Sequence, residues 1–275
     1  MKKILITGAT GRIGKRLLKN INLDDFNNTE FLFLGNSGNV NNVFKTDLSV
    51  YNNVDKIINK FKPTIILHLA ALTLPNSELD KNLSYNTNFI ITKNLVDSCK
   101  NFKTNFIFFS TDKVYGGIIK EPKEEEDINP STFYGIHKLN AENYIIENLQ
   151  KFLVFRIPII HGYGELEDVS VIDKAIQSLK DGKSFSLYNN IFRSYIYYKD
   201  LLDFTKNLLS LKDNKINGIF NIGTKAESYF GRVSNICKKM NINSDLLTYQ
   251  SGEITPRYQG IDTSKYFKIF NNNYE

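Results

Sequence analysis

Tryptophan is absent from this 275-residue chain, and methionine, cysteine, histidine and proline are scarce at two, two, three and six residues. Each shortage removes a class of protein. The two cysteines, Cys99 and Cys237, lie far apart without metal-ligand spacing, so neither a disulfide scaffold nor a thiolate metal centre is expected. Three isolated histidines and no acid cluster beside them give no metal site, and His68 reads as a core or strand-end histidine. No stretch reaches the roughly 18 apolar residues of a membrane span. The apolar run after the basic start Met1-Lys2-Lys3 is too short for a signal peptide. No proline-, glycine- or serine-rich linker and no internal repeat breaks the chain. A soluble, cytoplasmic protein is expected, without membrane association.

What is present is an ordinary globular composition, 41% hydrophobic and 23% charged, long enough for a large core. The net charge of +6 comes from lysines scattered among Glu and Asp, which reads as a solvated surface. Nothing beyond that charge points to nucleic acid.

The chain opens as strand, glycine loop and helix. Ile4-Leu5-Ile6 is a short buried strand, and Thr7-Gly8-Ala9-Thr10-Gly11-Arg12-Ile13-Gly14 leads into the helically spaced Lys15-Arg16-Leu17-Leu18. This order makes a dinucleotide phosphate site. Gly8 permits the turn, Gly11 lets backbone approach a pyrophosphate, and Gly14 lets the helix pack on the strand. The helix N-terminus offers N–H groups and a positive dipole end. The second strand, Phe31-Leu32-Phe33-Leu34, ends in Gly35-Asn36-Ser37-Gly38 without the Asp or Glu that would hold an NAD ribose. That absence leans towards NADP, with Arg12, Lys15 or Arg16 available to a 2′-phosphate, and NAD as the alternative.

Strand and helix continue to alternate. An amphipathic helix spans Val50 to Phe61, and Ile65 to Ala71 reads as an apolar strand. A helix follows from about Leu83 to Lys100, then a strand from Asn105 to Phe109. That strand delivers Ser110-Thr111-Asp112-Lys113 at its carboxyl end, where open α/β sheets bind ligands. Pro130-Ser131 begins a helix to about Gln150, and Phe152 to Arg156 is a further strand. The alternation predicts an α/β protein with a Rossmann-type, doubly wound parallel sheet over residues 1–160. A smaller, less regular α/β region over 161–275 is expected to pack on it and bind substrate, the chain being free to cross back between the two.

Within the Ser131–Lys138 segment, Tyr134 and Lys138 share one face of a helix. A phenol with a reference pKa of about 10 is a poor proton carrier near neutrality, and an ammonium alongside favours its phenolate. Ser110-Thr111 supplies a hydroxyl that would complete a proton-transfer site.

Taken together these residues resemble the extended short-chain dehydrogenase/reductase family, the NAD-dependent epimerase/dehydratases, over nearly the whole chain. Gly8 to Gly14 resembles the cofactor loop, with Gly8, Thr10, Gly11, Arg12, Ile13 and Gly14 as its contacts. Asp47-Leu48 resembles the adenine-contacting pair, and Leu69-Ala70-Ala71 the segment beside the cofactor. Asn88, Thr92, Asn94 and Leu95 resemble a structural element of the family, with Ile91 in place of glycine. Thr111, Tyr134 and Lys138 match its Ser/Thr–Tyr–Lys catalytic set. Arg193-Ser194-Tyr195-Ile196 with Asp200-Leu201 looks like the segment whose Arg grips the diphosphate of a nucleotide-sugar. Arg156 to Gly162 matches another family segment except that His161 replaces Tyr. Within the family, Ser110-Thr111-Asp112 and Pro256-Arg257…Asp262-Thr263-Ser264-Lys265 are most similar to the dTDP-4-dehydrorhamnose reductase group.

The resemblance implies reduction of the 4-keto group of a nucleotide-linked deoxysugar by NADPH or NADH, in activated-sugar biosynthesis. Tyr134 would donate the proton, and Lys138 would bind the nicotinamide ribose and tune Tyr134. Thr111 would orient the carbonyl oxygen, Asp112 would join the proton path or hold a sugar hydroxyl, and Arg193 would bind the substrate. Substrate contacts are expected from Thr111, Asp112, Tyr134 and Arg193, and the assembly is expected to be a homodimer. Lys113 stands where retaining 4,6-dehydratases of the family have Glu, which argues against that subgroup, while inverting dehydratases can show Thr-Asp-Lys. Epimerase, dehydratase and non-catalytic NADP-binding regulatory subunit are the alternatives.

Overall fold

The computed structural model describes residues 1–36, 40–117, 120–162, 170–211, 216–250 and 257–270. Its largest feature is a seven-stranded sheet. β1 (Lys2–Thr7), β2 (Thr29–Gly35), β3 (Val43–Lys45), β4 (Ile65–His68), β5 (Asn105–Thr111) and β6 (Phe152–Ile157) are joined in it by the strand Gly218–Asn221. The order runs Gly218–Asn221, β6, β5, β4, β1, β2, β3. Pairings of β1 with β2 and β4, of β2 with β3, and of β4 with β5 are parallel. The order reverses at β1, which has β2 on one side and β4 on the other. That switch point is where an open α/β sheet leaves a crevice beyond its carboxyl ends.

Continuous apolar runs make these strands buried on both faces. β5 has all seven of its residues buried, as has β4 with its four. Helices Arg12–Asn20, Tyr51–Phe61, Ile91–Cys99 and Phe133–Asn148 provide the crossovers. One core gathers Leu5, Leu34, Ile66, Phe106 and Val154 from the sheet with Val54, Ile58, Leu95, Val96, Ala141 and Ile145 from the helices. The expected helix near residues 83–100 is broken by a π turn, Asn86–Ile90, between Lys81–Tyr85 and Ile91–Cys99. β4 stops at His68, earlier than its apolar sequence suggests, and Leu69 N–H just beyond it still donates to the Thr7 carbonyl of β1.

Two compact units divide the chain. One comprises Met1–Val114, Pro130–Phe155 and Thr205–Ile219, the other Tyr115–Asn129, Arg156–Phe204 and Phe220–Glu275. The second unit has short strands. Ile159–His161 pairs in parallel with Tyr195–Tyr197, and Phe185–Tyr188 with Leu247–Gln250. Ile191–Arg193 lies between Glu227–Ser228 and Arg257–Gln259. Helices Val171–Lys180 and Tyr229–Met240 bury Ile172, Ala175, Leu179, Val233 and Cys237 around Tyr195, Leu187 and Leu247. Both cysteines are buried free thiols. Among the described residues, no helix is long and apolar enough to cross a membrane.

Candidate active site

The turn after β1 is built on close backbone approach. Gly8 adopts φ +69°, and a Cβ there would stand 2.5 Å from the Ala70 nitrogen, at the exit from β4. A Cβ on Gly14 would come within 2.2 Å of the Gly8 carbonyl oxygen. Both positions therefore exclude any side chain. Gly11 is the N-cap of helix Arg12–Asn20 in extended conformation and brings no side chain over the helix end. This is a backbone cradle of the kind that takes phosphate groups, and its residues fit a dinucleotide.

Around the cradle, Thr10 packs on Gly35 at the end of β2, where an added Cβ would meet its side chain at 2.5 Å. Arg12, exposed on the first turn, donates from Nη2 to Thr73 Oγ1 at 2.9 Å. Lys15 is exposed and Ile13 and Arg16 are half-buried on the same helix. Of the segment that follows Gly35, Ser37 and Gly38 lie outside the described residues. Leu48 is buried in the core and Asp47 is exposed. Asp47 accepts from the backbone N–H and hydroxyl of Ser49 at 2.9 and 2.7 Å, a side-chain turn that starts the next helix. The Asn94 amide donates to the Leu48 and Ser49 carbonyls at 3.0 and 2.9 Å. Leu69 and Ala70 are half-buried and Ala71 is exposed at the exit from β4.

His68 is 1% exposed, hydrogen-bonded to Thr7 Oγ1 at 2.6 Å and Thr92 Oγ1 at 2.9 Å. Burial, and next the Lys138 charge, hold it well below the ordinary histidine range, so it is neutral. It joins β1, β4 and the Ile91–Cys99 helix, a structural task consistent with the core histidine the sequence suggests. Asn88 pairs with the backbone of Leu72, accepting its N–H at 3.0 Å and donating to its carbonyl at 2.9 Å. It sits within the π turn.

The carboxyl end of β5 meets the start of the Phe133–Asn148 helix. Thr111, 5% exposed, directs its hydroxyl to Asp112 Oδ1 at 3.3 Å and accepts the Lys113 N–H at 3.2 Å. A Cβ on Gly135 would lie 2.7 Å from the Lys113 carbonyl oxygen, so the first turn of the helix rests directly on this segment. Two caps hold that turn. Thr132 Oγ1 accepts the Gly135 N–H at 3.1 Å, and the Glu78 carboxylate accepts the N–H groups of Phe133 and Tyr134. Tyr134 is half-buried on this turn.

One turn further on, Lys138 is 1% exposed. Its Nζ donates to the Phe109 carbonyl at 2.6 Å and lies 3.7 Å from the centre of the Phe108 ring. Burial brings the ammonium down to about 7 from 10.5, opposed by the charge of Glu142. Glu142 is itself fully buried and accepts the Ser110 hydroxyl. The site thus holds Thr111, Asp112, Tyr134 and Lys138 within one unit, beside the carboxyl ends of β4 and β1. Sequence reasoning missed Glu78 and Glu142, neither of which belongs to a spaced motif, and with Glu142 the partner of the Ser110 hydroxyl. Among the described residues, no cluster of His, Cys, Asp and Glu could hold a metal ion.

Arg193 belongs to the second unit, at the end of Ile191–Arg193. It is 4% exposed and donates from Nη1 to Gln259 Oε1 at 2.9 Å. Its register neighbours are Glu227 and Gln259. In the same unit Arg156 is buried, donating to the Tyr115 hydroxyl at 2.6 Å and the Glu124 carbonyl at 3.1 Å. His161 Nε2 faces Arg232 Nη2 at 2.9 Å, and burial together with that guanidinium lowers the imidazole to about 3. Asp200 and Leu201 lie in the helix Tyr198–Ser210, and Asp262 caps Ser264 by hydrogen bonds at 2.8 and 2.5 Å. Pro256 lies outside the described residues.

A scan of protein families matches residues 4–223 to the NAD dependent epimerase/dehydratase family. The chain belongs to that family. Its relatives include the dTDP-D-glucose 4,6-dehydratase of Dictyostelium discoideum, 27% identical over 82% of this chain and 59% of that protein. Another is the methionine adenosyltransferase 2 subunit beta of Danio rerio, 26% identical over 82% of this chain and 70% of that protein. The matched stretch therefore falls short of two thirds of the first relative's length. Among solved structures, the NADP complex of a dTDP-4-dehydrorhamnose reductase from Bacillus anthracis has a TM-score of 0.80. It is 21% identical, and the match covers 100% of this chain and 95% of the other, a likeness of fold.

Proposed function

We propose that this family member is an NADPH-dependent reductase of the 4-keto group of a nucleotide-linked deoxysugar. The observation that carries the reading is the buried Lys138 beneath a Tyr134 helix turn that rests on the Thr111–Lys113 segment. This gathers a hydroxyl, a phenol and an ammonium at the carboxyl end of β5, the chemistry of proton donation to a carbonyl. A bound nicotinamide nucleotide supplies the hydride. Gly8, Thr10, Gly11, Arg12, Ile13 and Gly14 hold its phosphates, with Asp47, Leu48, Leu69, Ala70 and Ala71 along the rest of the cofactor.

Tyr134 donates its phenolic proton to the carbonyl oxygen as the carbinol forms. Lys138 keeps a positive charge beside Tyr134 and binds the nicotinamide ribose. Thr111 orients the carbonyl oxygen by hydrogen bonding, and Asp112 holds the Thr111 hydroxyl or a sugar hydroxyl. Arg193 pairs with the substrate diphosphate, where two charge-assisted hydrogen bonds suit a guanidinium. Lys113 at the third position of the Thr111 segment leaves no carboxylate there to take up a proton for elimination, which favours reduction over dehydration. The missing acid after β2 supports NADP over NAD, as does the NADP bound to the similar reductase.

The relative that is a subunit of a methionine adenosyltransferase motivates a second reading, a cofactor-binding subunit of another enzyme. One experiment separates the readings. The purified protein is offered NADPH and a panel of 4-keto sugar nucleotides while the nicotinamide absorbance is followed. Consumption of NADPH supports the reductase. Tight, non-exchanging NAD with no net consumption turns the reading to epimerase or dehydratase, and binding of NADPH without turnover on any sugar turns it to the subunit.

A further inference from the structure

Two successive helix turns grip two successive residues of β5. Lys138 donates to the carbonyl of Phe109, and Glu142, four residues on, receives the hydroxyl of Ser110. Both side chains are at most 1% exposed. A buried ammonium alone is costly, because burial withdraws the water that stabilises its charge. A neutral carbonyl and an aromatic face at 3.7 Å offset part of that cost. The described titratable groups acting on Lys138 are few. From β4 comes His68, which is neutral, and from its own helix Glu142, whose charge favours the ammonium. β5 presents Phe108, Phe109 and Ser110, none of which titrates in the working range.

We propose that Glu142, locked in place by Ser110, is a positioning residue that keeps Lys138 charged and aimed along β5 for its work on Tyr134. The inference rests on the reading of Tyr134 and Lys138 as the proton-donating pair. Glu142 touches neither substrate nor cofactor in this role. It acts through Lys138 alone, and Ser110, the residue before the family-like Thr111, acts through Glu142. These polar contacts join strand and helix alongside the apolar core that holds Phe106, Phe108, Ala141 and Ile145. Loss of the carboxylate charge would let the desolvated ammonium give up its proton at lower pH.

The test reads Lys138 directly. The protein, labelled with lysine carrying carbon-13 at Cε, is titrated by NMR without cofactor or substrate, the Lys138 signal being assigned by its absence in Lys138→Arg. In Glu142→Gln, which keeps an acceptor for Ser110, the acid dissociation constant of Lys138 is expected to rise about tenfold or more. Glu142→Asp is expected to recover part of the wild-type value, and Ser110→Ala to move it in the same direction as Glu142→Gln by less. If Glu142→Gln does not fold, the other two variants decide. An unchanged Lys138 titration in the variants that fold overturns the proposal, even where melting temperatures fall. In an active protein, the alkaline limb of the turnover profile must also move to lower pH in Glu142→Gln. A shifted Lys138 titration with an unmoved limb leaves the electrostatic link standing and overturns the reading of Lys138 as the tuner of Tyr134.

Discussion

Glu78 holds Tyr134 by its main chain, Oε1 accepting the Tyr134 N–H at 3.0 Å and Oε2 the Phe133 N–H at 3.1 Å. The carboxylate reaches the positive end of the Phe133–Asn148 helix from a segment 55 residues earlier. The same segment is tied to the glycine loop through Thr73 and Arg12. The glycine loop and the Tyr134 helix are thereby linked through one strap. Glu78→Ala is expected to cost about 1 kcal/mol, the usual worth of an N-terminal cap. It should also lower turnover with little change in NADPH affinity. Amide exchange over residues 72–80 should quicken, and a strap as protected as in the wild type would count against the link.

Tyr134→Phe removes the phenolic hydroxyl and leaves the ring. Turnover on a 4-keto sugar nucleotide is expected to fall by about 10² or more, the usual share of a general acid. NADPH affinity, measured by fluorescence titration, should stay within a few-fold of the wild type. Near-normal turnover would show that the proton comes from elsewhere.

Gly14→Ala tests the cradle. The added methyl would stand 2.2 Å from the Gly8 carbonyl oxygen, so the loop must shift. A loss of about 1–3 kcal/mol in stability is expected from such overpacking, with a larger relative loss of NADPH affinity. Wild-type affinity in that variant would place the dinucleotide somewhere else.

Lys138 makes stability depend on pH in a definite direction. Burial lowers its ammonium to about 7 in the folded chain, against the ordinary lysine value of 10.5 that the unfolded chain keeps. Between those values the unfolded chain holds a proton that the folded chain lacks, so stability rises as pH climbs from about 7 towards 10.5. Below about 7 the penalty is complete. Denaturant titrations at several pH values should show a flatter curve for Lys138→Met than for the wild type. Parallel curves would deny the assignment.

Arg193→Ala is expected to raise KM for a nucleotide-sugar by about tenfold or more, because one charge-assisted contact to a phosphate is lost. Turnover at saturation should change less. An unaltered KM would speak against a diphosphate-bearing substrate.

The features legible in the sequence were those with short-range rules. Glycines at 8, 11 and 14 between an apolar run and a helical run announce the turn after β1, since only backbone fits there. Tyr134 and Lys138 announce themselves by sharing a helix face. Partners distant in sequence left no such trace. Glu78 reads as one more surface acid, and Glu142 as one more polar residue on a helix, until the fold brings them to the Tyr134 turn and to Ser110. The three-residue strands Ile191–Arg193 and Arg257–Gln259 are too short to show alternation. The π turn at Asn86–Ile90 also escaped notice, because its residues are ordinary in a helix and the partner of Asn88 within it, the Leu72 backbone, is distant in sequence.

The segment Thr205–Ile219 belongs to the same unit as β1 to β5, although Arg156–Phe204 of the other unit intervenes in sequence. Asn217 receives the Phe152 N–H at 2.7 Å and donates to the Gln150 carbonyl at 3.2 Å, sealing the start of β6. A gene cut after residue 160 would therefore release a fragment with a raw sheet margin, its backbone groups open to pairing with other copies. Such a piece would tend towards self-association. The unit that carries the glycine loop is completed only by Thr205–Ile219, so it cannot be transplanted as residues 1–160 alone.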